Sequence, residues 1–299
     1  LPSDPTPKIE ESALKSAVKG ADAILHFAGV NRGSEKDLAL ANSAIACRLV
    51  GACKAVGVNP HIVYANSIHS STDTAYGRSK RRAAEVLGGF ASRYTNLILP
   101  HIFGECARPF YNNVTATLIH QLVAGEEASV NPDGHAQLLY VGDAVRIAID
   151  AVLSEELGRV EPAPYPIAVP DLFAKLQSFH ESYKANIYPD VSCAFDLALF
   201  NSYRAVTYPN HWPRHLRLQT DRRGTLFEAV KSGGGGQTFL STTKPGITRG
   251  DHFHLRKVER FLVLQGEAII RVRKVLSSEM WEYPVSGDKP APVDMPTLH

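Results

Sequence analysis

Apolar positions along the first half of the chain alternate between short runs typical of buried strands and longer, helically spaced runs. Strands and helices that follow one another in this way predict a parallel α/β sheet. Gly57, directly after a long apolar helical stretch, indicates where that helix ends. The predicted strands are Ala23–Phe27, His61–Tyr64, Asn96–Pro100 and Gln137–Val141, and the predicted helices are Glu10–Val18, Lys36–Val56, Ala75–Tyr94, Asn113–Ala124 and Gly142–Leu153.

The pattern changes in the second half of the chain. A proline-rich stretch, Glu161–Pro170, interrupts it, and the apolar period shortens towards two after Pro213, which favours strands. We therefore expect two domains, residues 1–210 and residues 214–299. The further predicted elements are helices Ala174–Lys184 and Asp196–Tyr203, strands Thr225–Val230, Gln237–Thr242, Arg260–Leu264 and Ala268–Val272, and a hairpin turn at Gln265–Glu267.

The composition fits a water-soluble enzyme and argues against two classes of partner. The 299 residues are 44% hydrophobic and 21% charged, and the formal net charge is only +2. Without a basic block, this charge favours no nucleic-acid partner. No apolar run reaches the length of a membrane span, so we expect no membrane insertion. The four cysteines show neither metal-ligand spacing nor a disulfide framework, which favours the reducing cytoplasm.

A serine, a tyrosine and a lysine are spaced as acid–base catalysis requires. Tyr76 and Lys80 share one face of a predicted helix because they are four residues apart. An ammonium near a phenol favours the phenolate, so we expect Lys80 to lower the pKa of Tyr76. Ser67, just beyond a predicted strand, can hold a carbonyl or hydroxyl of a substrate. A Tyr-x-x-x-Lys pair alone is more often a solvated helix face, but Ser67 and the strand order favour catalysis.

This order of strands, serine, tyrosine and lysine resembles the extended short-chain dehydrogenase/reductases, which have a Rossmann-like α/β fold. That family opens with a strand and a glycine-rich turn, whereas residues 1–8 read as a loop. We therefore expect the first strands and the glycine-rich turn to be absent from this chain. The resemblance implies that Ser67, Tyr76, Lys80 and Asn42 are catalytic, that Ala28, Gly29, Tyr76, Lys80, Pro100 and Ile102 contact the nicotinamide cofactor, and that Ser67 with Asn112 or Asn113 binds the substrate.

Two histidines and a glutamate near the end of the chain form a candidate metal site. His252 and His254 are two residues apart, so on an extended segment their side chains project to the same face. Two imidazoles and the Glu259 carboxylate suit a borderline divalent ion such as zinc. The surrounding residues resemble the first signature motif of the cupins, which are all-β jelly-roll barrels. By that resemblance His299 is a candidate fourth ligand, while metal-free deoxysugar epimerases leave His252 an alternative role as a base.

The two parts together resemble the bifunctional capsular and O-antigen biosynthesis enzymes on the bacterial route to UDP-N-acetyl-L-fucosamine. The resemblance runs along essentially the whole chain. It implies a Rossmann-like reductase domain followed by an all-β cupin domain. The motifs that carry it are His26–Arg32, Tyr76–Lys80, Tyr111–Val114, Tyr140–Asp143, Lys244–Gly250 and Tyr283–Lys289.

The resemblance implies two reactions on a UDP-linked deoxyhexosamine. The cupin domain, with zinc or another divalent transition metal, epimerises C-3 of the 4-keto sugar, and the reductase domain then reduces C-4 with NADPH. A homodimer is implied as well. Two alternatives remain: a related short-chain epimerase or dehydratase with a structural cupin, and a non-enzymatic sugar-binding scaffold. Ile68 and His69 stand where dehydratases carry acidic residues, and the intact Ser67, Tyr76 and Lys80 argue against a vestigial site.

Overall fold

The structure is a computed structural model that describes residues 10–210, 212–216, 218–221, 224–226, 229–232, 243, 245–248 and 250–299. Its contacts divide the chain into two compact units. The first unit consists of the described residues up to Ile102 together with Gln137–Tyr165. The second consists of Phe103–Ala136 and the described residues from Pro166 to His299.

Helices and strands alternate through the first half of the chain, as predicted. The helices are α1 Glu11–Val18, α2 Glu35–Val56, α3 Ala75–Phe90, α4 Val114–Ala124, α5 Val141–Leu153, α6 Val169–Lys184 and α7 Ala194–Thr207. The strands are β1 Ala23–His26, β2 His61–Ser67, β3 Tyr94–Leu99, β4 His101–Phe103, β5 His135–Tyr140, β6 Gly158–Val160, β7 Tyr165–Ala168, β8 Ile187–Tyr188, β9 Gln219–Asp221, β10 Gly224–Leu226, β11 Lys231–Ser232, β12 Glu259–Phe261, β13 Glu267–Arg273, β14 Met280–Ser286 and β15 Val293–Met295.

A parallel sheet with the strand order β1-β2-β3-β6 is the centre of the first unit. Side chains of β2 alternate between its two faces. Ile62 and Tyr64 join a core formed with α1, α2 and α3, whereas Val63 joins a second core with α5. Helices therefore cover both faces of the sheet, which confirms the mixed α/β, Rossmann-like expectation. A further small sheet has the order β4-β5-β7.

Helix α2 is long and apolar enough, by length and composition alone, to cross a membrane. It instead buries Ala46, Leu49, Val50 and Cys53 in the first core, which explains its apolar composition. The predicted end of this helix is confirmed, because Gly57 adopts the left-handed conformation that glycine tolerates best.

Helix α3 is shorter than predicted. It ends at Phe90 because Ala91 turns to extended backbone, and the chain re-enters the sheet at Tyr94. The ring of Tyr94 lies against Gly88 of the helix, where an added Cβ would come within 3.1 Å of it. The apolar pattern runs across this turn without a break, so the pattern alone overextends the helix.

The two later helices are longer than predicted. Helix α6 begins at Val169 instead of Ala174, because Pro170 occupies its first turn. Proline is favourable there, since that position needs no backbone N–H donor. Helix α7 likewise extends beyond the predicted range Asp196–Tyr203 at both ends.

The described strands near the end of the chain pair two by two. Strand β9 pairs with β10, β13 with β14, and β12 with β15, all antiparallel. The predicted strand Ala268–Val272 is confirmed as the centre of β13. Of the predicted strand Thr225–Val230, the first two residues belong to β10 and the last two lie in no strand, while residues 227–228 and the predicted strand Gln237–Thr242 lie outside the described residues.

The predicted hairpin at Gln265–Glu267 is wrong. Strand β12 pairs with β15, and β13 pairs with β14, so the strands on either side of Gly266 are not partners of each other. A turn is present, since Gly266 has a positive φ of 78° and its carbonyl accepts a hydrogen bond from Gly287. The division into domains 1–210 and 214–299 stays a prediction.

Candidate active site

Ser67 is held at the carboxyl end of β2 by its neighbours. Its backbone N–H donates to the side chain of Asn66 at 2.8 Å, and Asn66 in turn donates to Asn96 on β3. The hydroxyl of Ser67 accepts from the backbone N–H of His69 at 3.2 Å, which caps the short 3-10 helix that follows. The loop beyond the strand is thereby fixed close to the sheet edge where parallel α/β proteins bind ligands.

Tyr76 lies in the first turn of α3, which the Thr74 side chain caps. Burial raises the pKa of the Tyr76 phenol, and a hydrogen bond with Ser67 acts in the opposite direction. The structure therefore brings the two predicted hydroxyl groups together. The ring of His69 lies edge-on to Tyr76, with 6.3 Å between ring centroids.

Lys80 lies one turn further along α3 and is only 5% exposed. Its ammonium donates to the backbone carbonyl of Ala65 at 2.6 Å and lies 4.4 Å from the ring centroid of Tyr64. Burial lowers the pKa of Lys80 to about 8. The expectation that Lys80 lowers the pKa of Tyr76 is wrong for this structure, because the pKa of Tyr76 is raised and Lys80 is engaged by β2.

Asn42, buried on α2, fixes the loop that follows β1. Its amide nitrogen donates to the carbonyl of Val30 and to the hydroxyl of Ser79, and its oxygen accepts from the N–H of Val30, each at 2.9 Å. An added Cβ on Gly29 would lie 3.0 Å from the Asn42 oxygen and 3.8 Å from the Lys80 ammonium. Gly29 and Lys80, which are predicted to contact the cofactor, therefore meet Asn42, which is predicted to be catalytic, at one place.

The other residues predicted to contact the cofactor follow neighbouring strands. Ala28 is exposed just beyond β1, and Pro100 is buried immediately after β3. Ile102, on β4, packs against the core that contains α5. Because the strands are parallel, Ala28, Ser67 and Pro100 follow carboxyl ends at the same edge of the sheet.

The predicted substrate-binding asparagines belong to the second unit. Asn113 caps α4, with its side-chain oxygen accepting from the backbone N–H of Ala116 at 2.9 Å. Asn112 adopts a positive φ of 52°. The Asn113 oxygen thus already has a structural role at the start of the helix.

Sequence reasoning misses Gly77, which has no side chain to suggest a role. It lies where α3 touches the loop after Ser67. A Cβ at this position would collide with the carbonyl of His69 and lie 2.5 Å from the carbonyl of Thr72. The close approach of Tyr76 to Ser67 depends on this absence of a side chain.

Replacing Gly77 with alanine is expected to destabilise the protein by about 1–3 kcal/mol, because two backbone carbonyls must move. The measurement is urea unfolding followed by circular dichroism. Gly51→Ala in α2 is the matched control, since a Cβ there meets nothing within 4 Å, and it should stabilise by up to ~1 kcal/mol. Equal stability of the Gly77 variant and wild type would contradict the steric argument.

His252, His254 and Glu259 converge in the second unit, as predicted. Their candidate ligand atoms all lie within 4.8 Å of one another. The Nε2 atoms of His252 and His254 lie 3.3 Å and 3.4 Å from Oε2 of Glu259. Burial opposes ionisation of Glu259, but hydrogen bonds from Lys257 and His252 outweigh it and lower the pKa of the carboxyl.

One buried ring nitrogen in this cluster has no hydrogen-bond partner among the described residues. Nε2 of His254 is buried, and its approach to Glu259 does not have hydrogen-bond geometry. A buried polar nitrogen aimed at a carboxylate and a second imidazole is what a divalent metal requires.

The structure does not group His299 with this metal cluster. Its ring packs against Tyr208 and Trp281, and its Nδ1 atom lies 3.0 Å from the carbonyl oxygen of Thr297.

The C-terminal part of the chain matches a known family. The model of the polysaccharide biosynthesis C-terminal domain matches residues 219–299. Over 286 residues, the chain is 32% identical to the UDP-2-acetamido-2,6-beta-L-arabino-hexul-4-ose reductase of Pseudomonas aeruginosa. This alignment covers 92% of the chain and 77% of that relative.

Solved structures are similar as well. The capsular polysaccharide assembling protein CapF of Staphylococcus aureus is 30% identical with a TM-score of 0.67, over 97% of this chain and 82% of that one. The dTDP-4-dehydrorhamnose reductase of Bacillus anthracis, solved with NADP, is 19% identical with a TM-score of 0.50. The aligned region covers 58% of this chain and 68% of the reductase, and the similarity supports the fold alone. With about a third of its residues shared over nearly its whole length, the chain belongs to the family of UDP-sugar reductases that includes the Pseudomonas aeruginosa enzyme.

Proposed function

We propose that the chain converts a UDP-2-acetamido-2,6-dideoxy-4-ketohexose into UDP-2-acetamido-2,6-dideoxy-L-talose in two steps. The first step epimerises C-3, and the second reduces the C-4 ketone with NADPH. The observation that carries this proposal is the Tyr76 phenol, which shares helix α3 with the buried Lys80 and whose pKa the Ser67 hydroxyl at the end of β2 lowers against the effect of burial. The 32% identical UDP-sugar reductase supports the substrate class.

In the reduction, Tyr76 acts as the general acid. A tyrosine phenol is protonated at neutral pH, so a proton is available for the C-4 oxygen. Ser67 hydrogen-bonds the same oxygen and orients it towards the phenol. Bound NADPH supplies the hydride to C-4. One hydride and one proton thus convert the ketone into the alcohol.

The residues around Gly29 fit a nicotinamide cofactor. A side chain at Gly29 would fill the space beside Asn42 and Lys80. Glycine leaves that space open, so a cofactor can approach the backbone closely. The Lys80 ammonium would hold a ribose hydroxyl, and Asn42 keeps the loop after β1 in position. Ala28, Pro100 and Ile102 would line the nicotinamide at the same edge of the sheet.

Epimerisation is assigned to the cluster of His252, His254 and Glu259. The unpartnered Nε2 atom of His254 fits a divalent metal, zinc by the chemistry of the ligand set. A metal there would supply a Lewis acid for the enolate that forms when the C-3 proton leaves, and return of a proton to the opposite face of C-3 would complete the epimerisation. In the alternative, His252 removes that proton itself, with Glu259 as its hydrogen-bond partner.

We further propose that this C-terminal region, residues 214–299, is a cupin domain, that residues 1–210 form the reductase domain, and that the protein is a cytoplasmic homodimer. The wild-type protein is expected to oxidise NADPH when given the 4-keto substrate, and to exchange the C-3 proton for deuterium in heavy water. NADPH is followed by absorbance, and exchange is followed by NMR.

The histidine cluster is tested by His252→Ala, which should reduce C-3 exchange about 10²-fold or more. His215→Ala, at an exposed histidine, is the control and should exchange at the wild-type rate. Zinc content measured by mass spectrometry separates a lost ligand from a lost base. NADPH oxidation without C-3 exchange in the wild type would mean that the cupin domain has only a structural role. Absence of both signals in the wild type would refute the proposed substrate.

A further inference from the structure

The ammonium group of Lys80 lies on the ring face of Tyr64, with 4.4 Å between Nζ and the ring centroid. Both side chains are almost fully buried, with 1% of Tyr64 and 5% of Lys80 exposed. The ammonium donates to the carbonyl of Ala65, the next residue of β2. One carbonyl and one aromatic face therefore fix a cation that burial has removed from water.

The ring of Tyr64, rather than its hydroxyl, makes this contact. The hydroxyl is buried and has no hydrogen-bond partner among the described residues. The ring stacks on His26 of β1, with 5.4 Å between centroids. Burial lowers the pKa of His26 to about 4, so this imidazole is neutral at pH 7 and does not compete with the ammonium. An electron-rich ring face attracts a cation more strongly where water is excluded.

We propose that Tyr64 is a positioning residue for the reduction, because its ring face holds the Lys80 ammonium charged and in one place. The inference rests on the proposed function, in which Lys80 holds the nicotinamide ribose. Strand β2 then supplies both the ring that positions Lys80 and, three residues later, Ser67.

Among the groups around Lys80, the ring of Tyr64 is the one that can attract and position the ammonium. The titratable groups that interact with it are His26 on β1 and Tyr64 on β2, while Tyr76 lies four residues earlier on its own helix. Helix α2 contributes Asn42, which is neutral. No carboxylate appears among the causes that shift the pKa of Lys80. The aromatic face is thus the attractive partner that supplements the Ala65 carbonyl.

The test compares Tyr64→Phe with Tyr64→Leu in the whole protein. The Phe variant keeps the ring face and should match wild type, whereas the Leu variant removes it. In Tyr64→Leu the pKa of Lys80 is expected to fall by about one unit, and kcat to fall about tenfold. Proteins grown with carbon-13 at the lysine ε position report the titration by NMR, with the Lys80 signal assigned by its loss in Lys80→Arg.

Trifluorophenylalanine at position 64 serves if the Leu variant does not fold, because fluorine withdraws charge from the ring face and nearly preserves its shape. It should lower the pKa of Lys80 in the same direction. An unchanged Lys80 titration in both ring-weakened proteins would overturn the proposal, as would equal damage in Tyr64→Phe. The titration does not require catalysis, so wild-type protein that oxidises no NADPH would refute the proposed function while the ring contact is still tested.

Discussion

Tyr76→Phe is expected to lower kcat for ketone reduction ~10²–10⁴-fold, with little change in the KM for NADPH. The substitution removes only the phenol oxygen, so the ring keeps its place in the first turn of α3. The variant then has no general acid in position to donate a proton to the C-4 oxygen. Ser67 alone can hydrogen-bond the oxygen, but its hydroxyl is a much weaker acid. Steady-state NADPH oxidation with the 4-keto substrate measures the effect.

A second tyrosine of the same unit provides the control. Tyr94 is also largely buried, and its hydroxyl has no hydrogen-bond partner among the described residues. Tyr94→Phe should therefore reduce substrate at the wild-type rate. C-3 exchange should persist in Tyr76→Phe, because the histidine cluster belongs to the other unit. Reduction at the wild-type rate in Tyr76→Phe would show that another group delivers the proton.

Much of this catalytic cluster is predictable from the sequence because its geometry is local. The four-residue spacing puts Tyr76 and Lys80 on one face of a helix, and the end of a buried strand places Ser67. The partner of Lys80 is not predictable in this way. Whether its ammonium turns to the phenol of Tyr76 or to Ala65 depends on how α3 packs against β2, which spacing along one helix does not encode.

The strand pairing near the end of the chain is less predictable for the same reason. An apolar run on each side of Gly266 suits a local hairpin, so the pattern predicts one. The observed partner of β12 is instead β15, some thirty residues further along. A buried ion pair between Arg260 and Asp294 joins these two strands, and a lone arginine or aspartate in a sequence does not reveal its distant partner.

Arg260→Met is expected to destabilise the second unit by about 3–5 kcal/mol, because it leaves the Asp294 carboxylate buried without its cation. The side chains are 6% and 2% exposed, and the guanidinium makes two bonds to the carboxylate, at 2.7 Å and 3.2 Å. Tyr183 and Tyr188 also donate to Asp294. Burial opposes the charge on Arg260, but Asp294 outweighs it and raises the pKa of the guanidinium.

Urea unfolding measures this loss, followed by tryptophan fluorescence. Both tryptophans of the chain, Trp212 and Trp281, lie in the second unit. The matched control is Arg271→Met, which breaks an exposed cross-strand pair with Glu282 and should cost about 1 kcal/mol or less. Equal effects of the two substitutions would contradict a special role for the buried pair.

The double variant Arg260→Met with Asp294→Leu separates two contributions to the free energy of unfolding: the cost of leaving one buried charge unpaired, and the net contribution of the intact ion pair. An apolar pair of similar volume removes both desolvation penalties, so the double variant should be more stable than either single one. Additive losses would show instead that the two side chains contribute to stability independently, without an energetic coupling between them. Because Arg260 follows Glu259 on β12, the same variants should also weaken the zinc binding proposed for the histidine cluster. A single substitution that leaves the zinc affinity of a zinc-binding wild type unchanged would mean that the register of β12 does not depend on this pair.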